Sequence, residues 1–154
     1  MTLKILNIIY SLDLKLGGMQ EGLAQITPHL IKKGVKSTVI SLDDPASEFL
    51  RNFSFEVIGL GPVASKYGYK RGLSKEIKKI AHKYDLVIIH GIWQYHSFAT
   101  WRALKNCKVP YFVYTHGQLD PYFKRSFPIK HLKKMIYWPL TDYKVLRDAK
   151  GVLF

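Results

Sequence analysis

Residues 86–117 read LVIIHGIWQYHSFATWRALKNCKVPYFVYTHG. Leu86-Val87-Ile88-Ile89 is a short, unbroken apolar run, which suits a strand buried on both faces. Tyr95 to Leu104 has the length of a helix, and Val109-Pro110 then leads into Tyr111-Phe112-Val113-Tyr114-Thr115, an aromatic and β-branched strand. Strand, helix and strand in that order predict a parallel βαβ unit, because parallel neighbours need a long crossover. Both strands run into the same dipeptide, His90-Gly91 and His116-Gly117.

The same alternation extends towards both ends. Leu3 to Tyr10 reads as the first strand, and Leu16-Gly17-Gly18-Met19 turns into a helix. Leu23, Ile26, Leu30 and Ile31 recur there at helical spacing, and Gly34 ends it as a left-handed cap. Ser37 to Leu42 is a second strand. Asp43-Asp44-Pro45 is expected to cap a short helix through Arg51, and Phe55 to Ile58 to form a third strand. Residues 59–72 lack periodicity and read as a mobile loop before a basic helix capped by Ser74 and ending near Tyr84. Beyond His116-Gly117, helices are expected near Ile129 to Trp138 and Leu140 to Arg147, then a strand at Gly151 to Phe154 that looks cut off. The fold class is therefore α/β: a Rossmann-like parallel sheet with helices on both faces, one domain over residues 1–154.

Composition narrows the function. Cys107 is the sole cysteine, so neither an intramolecular disulfide nor a CxxC pair can form, and a reducing cytosol fits. The first ten residues lack the length and cleavage site of a secretory signal. Nothing approaches the ~20 consecutive apolar residues of a membrane span, so membrane contact is expected to be peripheral. A formal charge of +13 implies an anionic partner: nucleic acid, an anionic lipid surface or a phosphate-bearing small molecule.

Ligands of open parallel sheets sit at the carboxyl ends of the strands. Three polar loops are expected there. Gly17-Gly18 lets backbone amides approach a diphosphate at a helix N-terminus, or serves only as a tight turn. It is not GxGxxG, which removes the main support for a nicotinamide-dependent dehydrogenase. His90 and His116, each before glycine, expose an imidazole that can bond a sugar hydroxyl or a phosphate, or are satisfied by backbone. A zinc site from His90, His96 and His116 lacks metalloenzyme spacing. Trp93 and Gln94 suit carbohydrate, the ring against C–H groups and the amide against hydroxyls, although Trp93 suits a core equally. Asp120-Pro121 can start the next helix. After Pro128, Ile129, Leu132, Met135 and Ile136 form one face while Lys130, Lys133 and Lys134 point elsewhere, a pattern for an anionic membrane surface or for a solvated basic face. A second basic stretch runs from Lys66 to Lys83.

Tyr10 to Gly34, His90-Gly91-Ile92-Trp93, Val109 to Val113, His116-Gly117-Gln118-Leu119-Asp120-Pro121, Tyr137-Trp138 and Ala149 to Phe154 together resemble the amino-terminal domain of family 4 GT-B glycosyltransferases. The resemblance implies two Rossmann-like domains, with a nucleotide-sugar donor held mainly by a carboxyl-terminal domain absent from this chain. It also implies an acceptor, lipid-linked or saccharide, held by this one, and transfer with retention and no metal or other cofactor. By position Gly17 and Gly18 match the loop near the donor diphosphate and His116 the histidine facing the donor sugar. His90, Trp93, Gln94, Gln118 and Asp120 fall on the acceptor side; Gln118 replaces the methionine common at its place. The family's paired glutamates are expected beyond Phe154; Glu48 and Glu56 share their separation but do not open a helix in a second domain. Polysaccharide assembly at the cytoplasmic membrane face is the expected setting, with the isolated domain inactive. A basic nucleic-acid-binding protein, or half of a sugar-nucleotide epimerase, remains the alternative.

Overall fold

A computed structural model describes residues 2–120 and 135–154. Strands β1 (Lys4–Ile8), β2 (Lys36–Ser41), β3 (Glu56–Gly59), β4 (Leu86–His90), β5 (Tyr111–Tyr114) and β6 (Gly151–Leu153) form one sheet. Their order is β3-β2-β1-β4-β5-β6, and every neighbouring pair is parallel. The chain first winds outward from β1 to β3, then returns to the other side of β1, so the order reverses between β1 and β4.

Helices α1 (Gly18–Lys32), α2 (Leu73–Ala81), α3 (Tyr95–Leu104) and α4 (Asp142–Arg147) cover the sheet. Neighbouring strand residues point to opposite faces, so Val39 and Ile40 enter different cores. On one face Leu6, Ile8, Ile40, Val87, Ile89 and Val113 pack against Leu73 and Ile77 of α2, Ala99 and Leu104 of α3 and Val145 of α4. On the other Ile9, Leu12 and Val39 meet Leu23 of α1, Leu50 and Phe55. Each fully buried Leu, Ile or Val contributes about 1.5–3 kcal/mol relative to exposure, which makes the first face the main source of stability.

Several local expectations change. Gln20, Leu23 and Thr27 form the buried line of α1, while Ile26 and Ile31 are exposed. Successive helical residues are about 100° apart, so Thr27 on the sheet-facing line carries Ile26 off it. Asp43 caps no helix. Its carboxylate accepts from Ser11 Oγ at 2.6 Å and the Leu12 amide at 2.8 Å, pinning the loop after β1. The short helix is a 3-10 turn, Glu48–Asn52, with Ser47 before it. Ser74 lies inside α2, whose N-cap is Gly72 at φ 84°, a left-handed conformation. The aperiodic loop is tied down: the Tyr95 amide donates to Tyr67 O at 2.7 Å, and Lys70 Nζ reaches Leu60 O at 2.7 Å and Glu76 Oε2 at 2.9 Å. Most of the helix expected from Ile129 to Trp138, with Lys130, Lys133 and Lys134, lies outside the described residues. Among the described residues no helix is long and apolar enough to cross a membrane.

Candidate functional site

The carboxyl ends of β1, β4 and β5 lie side by side, because Ile8 pairs with Ile89 and His90 with Tyr114. Connections leave β1 and β4 in opposite directions, which leaves a crevice between them.

After β1, Asp13 caps a 3-10 turn at Leu14–Leu16 by accepting from the Lys15 amide at 3.0 Å. Gly17 then adopts φ 124° and ψ −158°, a backbone that redirects the chain into α1 and that favours glycine. A Cβ added to Gly17 or Gly18 would meet nothing within 4 Å. The open N-terminus of α1 carries partial positive charge and unpaired amides, the physical basis of a phosphate site. Met19 joins this loop to the next: a Cβ at Gly91 would lie 3.3 Å from Met19 Cε and 3.4 Å from Gln118 Oε1. Residues after β1, β4 and β5 therefore meet on one rim.

His90 is the last residue of β4 and is 5% exposed. The expected display of its imidazole is not what the fold produces. Its Nε2 lies 3.0 Å from Asn7 Oδ1 and its Nδ1 3.0 Å from His116 Nε2. His90 and Asn7 are enclosed because both point to the α1 side of adjacent strands. Burial, then the neighbouring His116 and His96, pushes the His90 pKa down to about 3. His96 beneath it is held near 4 by burial, and its Nε2 donates to His90 O at 2.8 Å.

His116 is the ring that remains half-open. Its backbone is left-handed at φ 50°, and its ring stacks on Tyr114 with centroids 3.8 Å apart and planes inclined by 19°. Partial burial lowers its pKa, so the ring is neutral near pH 7 and acts as a hydrogen-bonding group instead of a cation.

Trp93 also has positive φ, 71°. Its amide donates to Asp142 Oδ1 at 3.0 Å, and its ring lies 5.2 Å from Trp138. Asp142 is 5% exposed; burial raises its pKa, against hydrogen bonds from Trp93, Thr141 and Ser97 that favour the carboxylate. Gln118 Oε1 accepts from the Ile92 amide at 2.6 Å, strapping the loops after β4 and β5 together. Gln94 Nε2 donates to Lys66 O at 3.1 Å, and Asp120 is exposed in the turn after His116. Asn7, Met19 and Asp142 carry the site without having been singled out in the sequence. Asn7 alone left a signal, an amide in the apolar run LNIIY, since a buried amide needs partners. A separate recess of about 550 Å³, lined by Lys4, Lys36, Glu56 and Lys83, lies at the amino ends of β1 to β3, on the opposite rim.

A parallel sheet whose strand order reverses, with a glycine turn and a neutral imidazole at the switch point, defines a Rossmann-like domain. The profile of Glycosyltransferase Family 4 matches residues 16–154, and the chain belongs to that family. Among solved structures, a glycosyltransferase from Rickettsia africae ESF-5 is 20% identical with a TM-score of 0.57, covering 82% of this chain and 33% of that one. Anabaena Alr3699/HepE, solved in complex with UDP and glucose, is 22% identical with a TM-score of 0.61 over 97% of this chain and 37% of its own. A Listeria monocytogenes protein provisionally assigned as a UDP-N-acetylglucosamine 2-epimerase is 13% identical, TM-score 0.61, over 99% and 38%. At these identities the likeness concerns the fold. The chain spans about a third of the length of these relatives. No curated protein sequence matches it significantly.

Proposed function

We propose that this chain is the acceptor-side domain of a GT-B glycosyltransferase, completed by a donor-binding domain beyond Phe154, that transfers a sugar from a nucleotide-sugar donor with retention. The carrying observation is the meeting of the Gly17-Gly18 turn, the His90 loop and His116 at one switch point. Amides at the start of α1 stabilise charge developing on the donor phosphate, and His116 holds the sugar by a hydrogen bond, so the domain contributes electrostatics and position. Trp93, Gln94 and Asp120 border the acceptor side, with Gln118 holding their loops. The acceptor is lipid-linked or saccharide, and the setting is polysaccharide assembly on the cytoplasmic face of the membrane. Exposed Met135, Ile136, Tyr137 and Leu140 support peripheral attachment, for which the sequence offers Lys130, Lys133 and Lys134 as basic contacts.

The test is turnover by the longer protein that carries both domains. His116→Ala is expected to lower kcat by about 100-fold, the scale of losing one preorganised polar contact. Unchanged turnover removes His116 from the reaction. Residues 1–154 alone should transfer nothing from any donor. The Listeria relative keeps epimerisation as a second reading; a nucleotide sugar converted to its epimer without acceptor would favour it. For the membrane, co-sedimentation with vesicles containing anionic lipid should exceed that with neutral vesicles and weaken as salt rises. Equal sedimentation with both, or tighter salt-sensitive binding to random oligonucleotides, would reject the membrane assignment.

A further inference from the structure

Beneath the half-open His116 runs a chain of buried polar groups on adjacent strands. Asn7 Nδ2 donates to Ser37 Oγ at 2.9 Å, which turns Asn7 Oδ1 towards His90 Nε2 at 3.0 Å. An amide oxygen only accepts, so His90 carries its proton on Nε2. His90 Nδ1 is then a lone pair, and the contact at 3.0 Å requires His116 Nε2 to donate to it. His116 is thereby left with Nδ1 as its acceptor nitrogen. Ser37, Asn7 and His90 are 4%, 3% and 5% exposed, so water does not compete for these bonds. The stacked Tyr114 ring and the left-handed backbone hold the His116 ring plane.

We propose that Asn7 and His90 are positioning residues: they lock His116 in the Nε2–H tautomer, so that it meets its ligand as a hydrogen-bond acceptor through Nδ1. The ligand group at that nitrogen must donate. A sugar hydroxyl does so, whereas a phosphate oxygen, which only accepts, does not. Naming a sugar rests on the glycosyltransferase reading; the tautomer itself does not. The groups around His90 are Asn7, His116, His96 and Tyr114, none of them a carboxylate, and burial disfavours charge on the ring.

Nitrogen-15 NMR of histidine-labelled chain at pH 7 tests this without any turnover. The expected spectrum shows His90 and His116 each with Nε2 protonated and Nδ1 bare, at resolved positions. In folded Asn7→Leu or His90→Phe, the His116 nitrogens should move to the averaged positions of a ring exchanging between tautomers. A wild-type His116 that is averaged or Nδ1-protonated overturns the proposal, as does His90 in the opposite tautomer. So does a folded Asn7→Leu chain whose His116 spectrum is unchanged. If neither variant folds, the wild-type spectrum still decides. An enzyme without transferase activity but with the expected spectrum would reject the functional reading and leave the tautomer lock standing.

Discussion

Gly17 and Gly18 are adjacent but are glycine for different reasons. Gly17 sits at φ 124°, where a side chain is strained whatever the space, so Gly17→Ala should lower unfolding free energy by about 1–3 kcal/mol in denaturant titration. Gly18 opens α1 with an ordinary φ and an unobstructed Cβ direction, so Gly18→Ala should leave stability unchanged or raise it by up to ~1 kcal/mol. On the proposed function the same change places a methyl group where the donor phosphate approaches, and donor affinity should fall in the two-domain enzyme. Asp142 makes a complementary case. Asp142→Ala removes the acceptor for the part-buried Trp93 amide, a loss of about 1–3 kcal/mol, and should also shift Trp93 fluorescence as its ring leaves Trp138. At this level the sequence pointed to the glycines and to His116, since glycine-rich turns and His-Gly pairs are local signals. Asp142 stayed hidden, because its contact with Trp93 spans 49 positions.

Elements were legible where hydrophobic period and burial agree. α3 has the predicted limits, Tyr95–Leu104, and all six strands occur within a residue or two of expectation. The misread features were ends and faces. Ser74 follows the pattern of a cap, but left-handed Gly72 already starts the helix before it. Ile26 and Ile31 fit a helical stripe, but the buried line of α1 runs through Gln20, Leu23 and Thr27 and leaves them exposed. On α2 the basic residues lie opposite Leu73, Ile77 and Ala81, so neutralising Lys75, Lys78 and Lys79 should change stability by no more than about 0.5 kcal/mol. The junction between β5 and α4 responds differently. Tyr111 Oη donates to Val145 O at 2.7 Å and joins β5 to α4, and Tyr111→Phe strands that carbonyl. Thermal unfolding should show a loss of about 1–3 kcal/mol.

Across the molecule, the buried histidines make stability depend on pH. His90 and His96 have pKa values lowered to about 3 and about 4 from 6.5, so the unfolded chain takes up protons that the native one refuses. Their contribution is present in full above pH 6.5, declines as pH falls below it, and is gone once pH has passed through the folded values. By pH 5 the loss is of the order of 2 kcal/mol per ring, and denaturant midpoints should drop accordingly between pH 7 and 5. Asp142 has the opposite sign: its raised pKa favours the fold below the usual carboxylate value and loses that contribution as pH rises through the raised one. His90→Gln or His96→Gln should flatten the decline; an unaltered slope in both would place the acid sensitivity elsewhere.

The parallel α/β class, the strand succession and the glycine and His-Gly loops followed from local order, because period, turn residues and chain direction act over a few positions. Which rings would be enclosed did not. Asn7, His90 and His116 are separated by 83 and 26 positions, and they meet because β4 enters the sheet between β1 and β5. Burial and hydrogen bonding are properties of that juxtaposition, so the division between a sealed, neutral His90 and a half-open His116 arises when the strands pair.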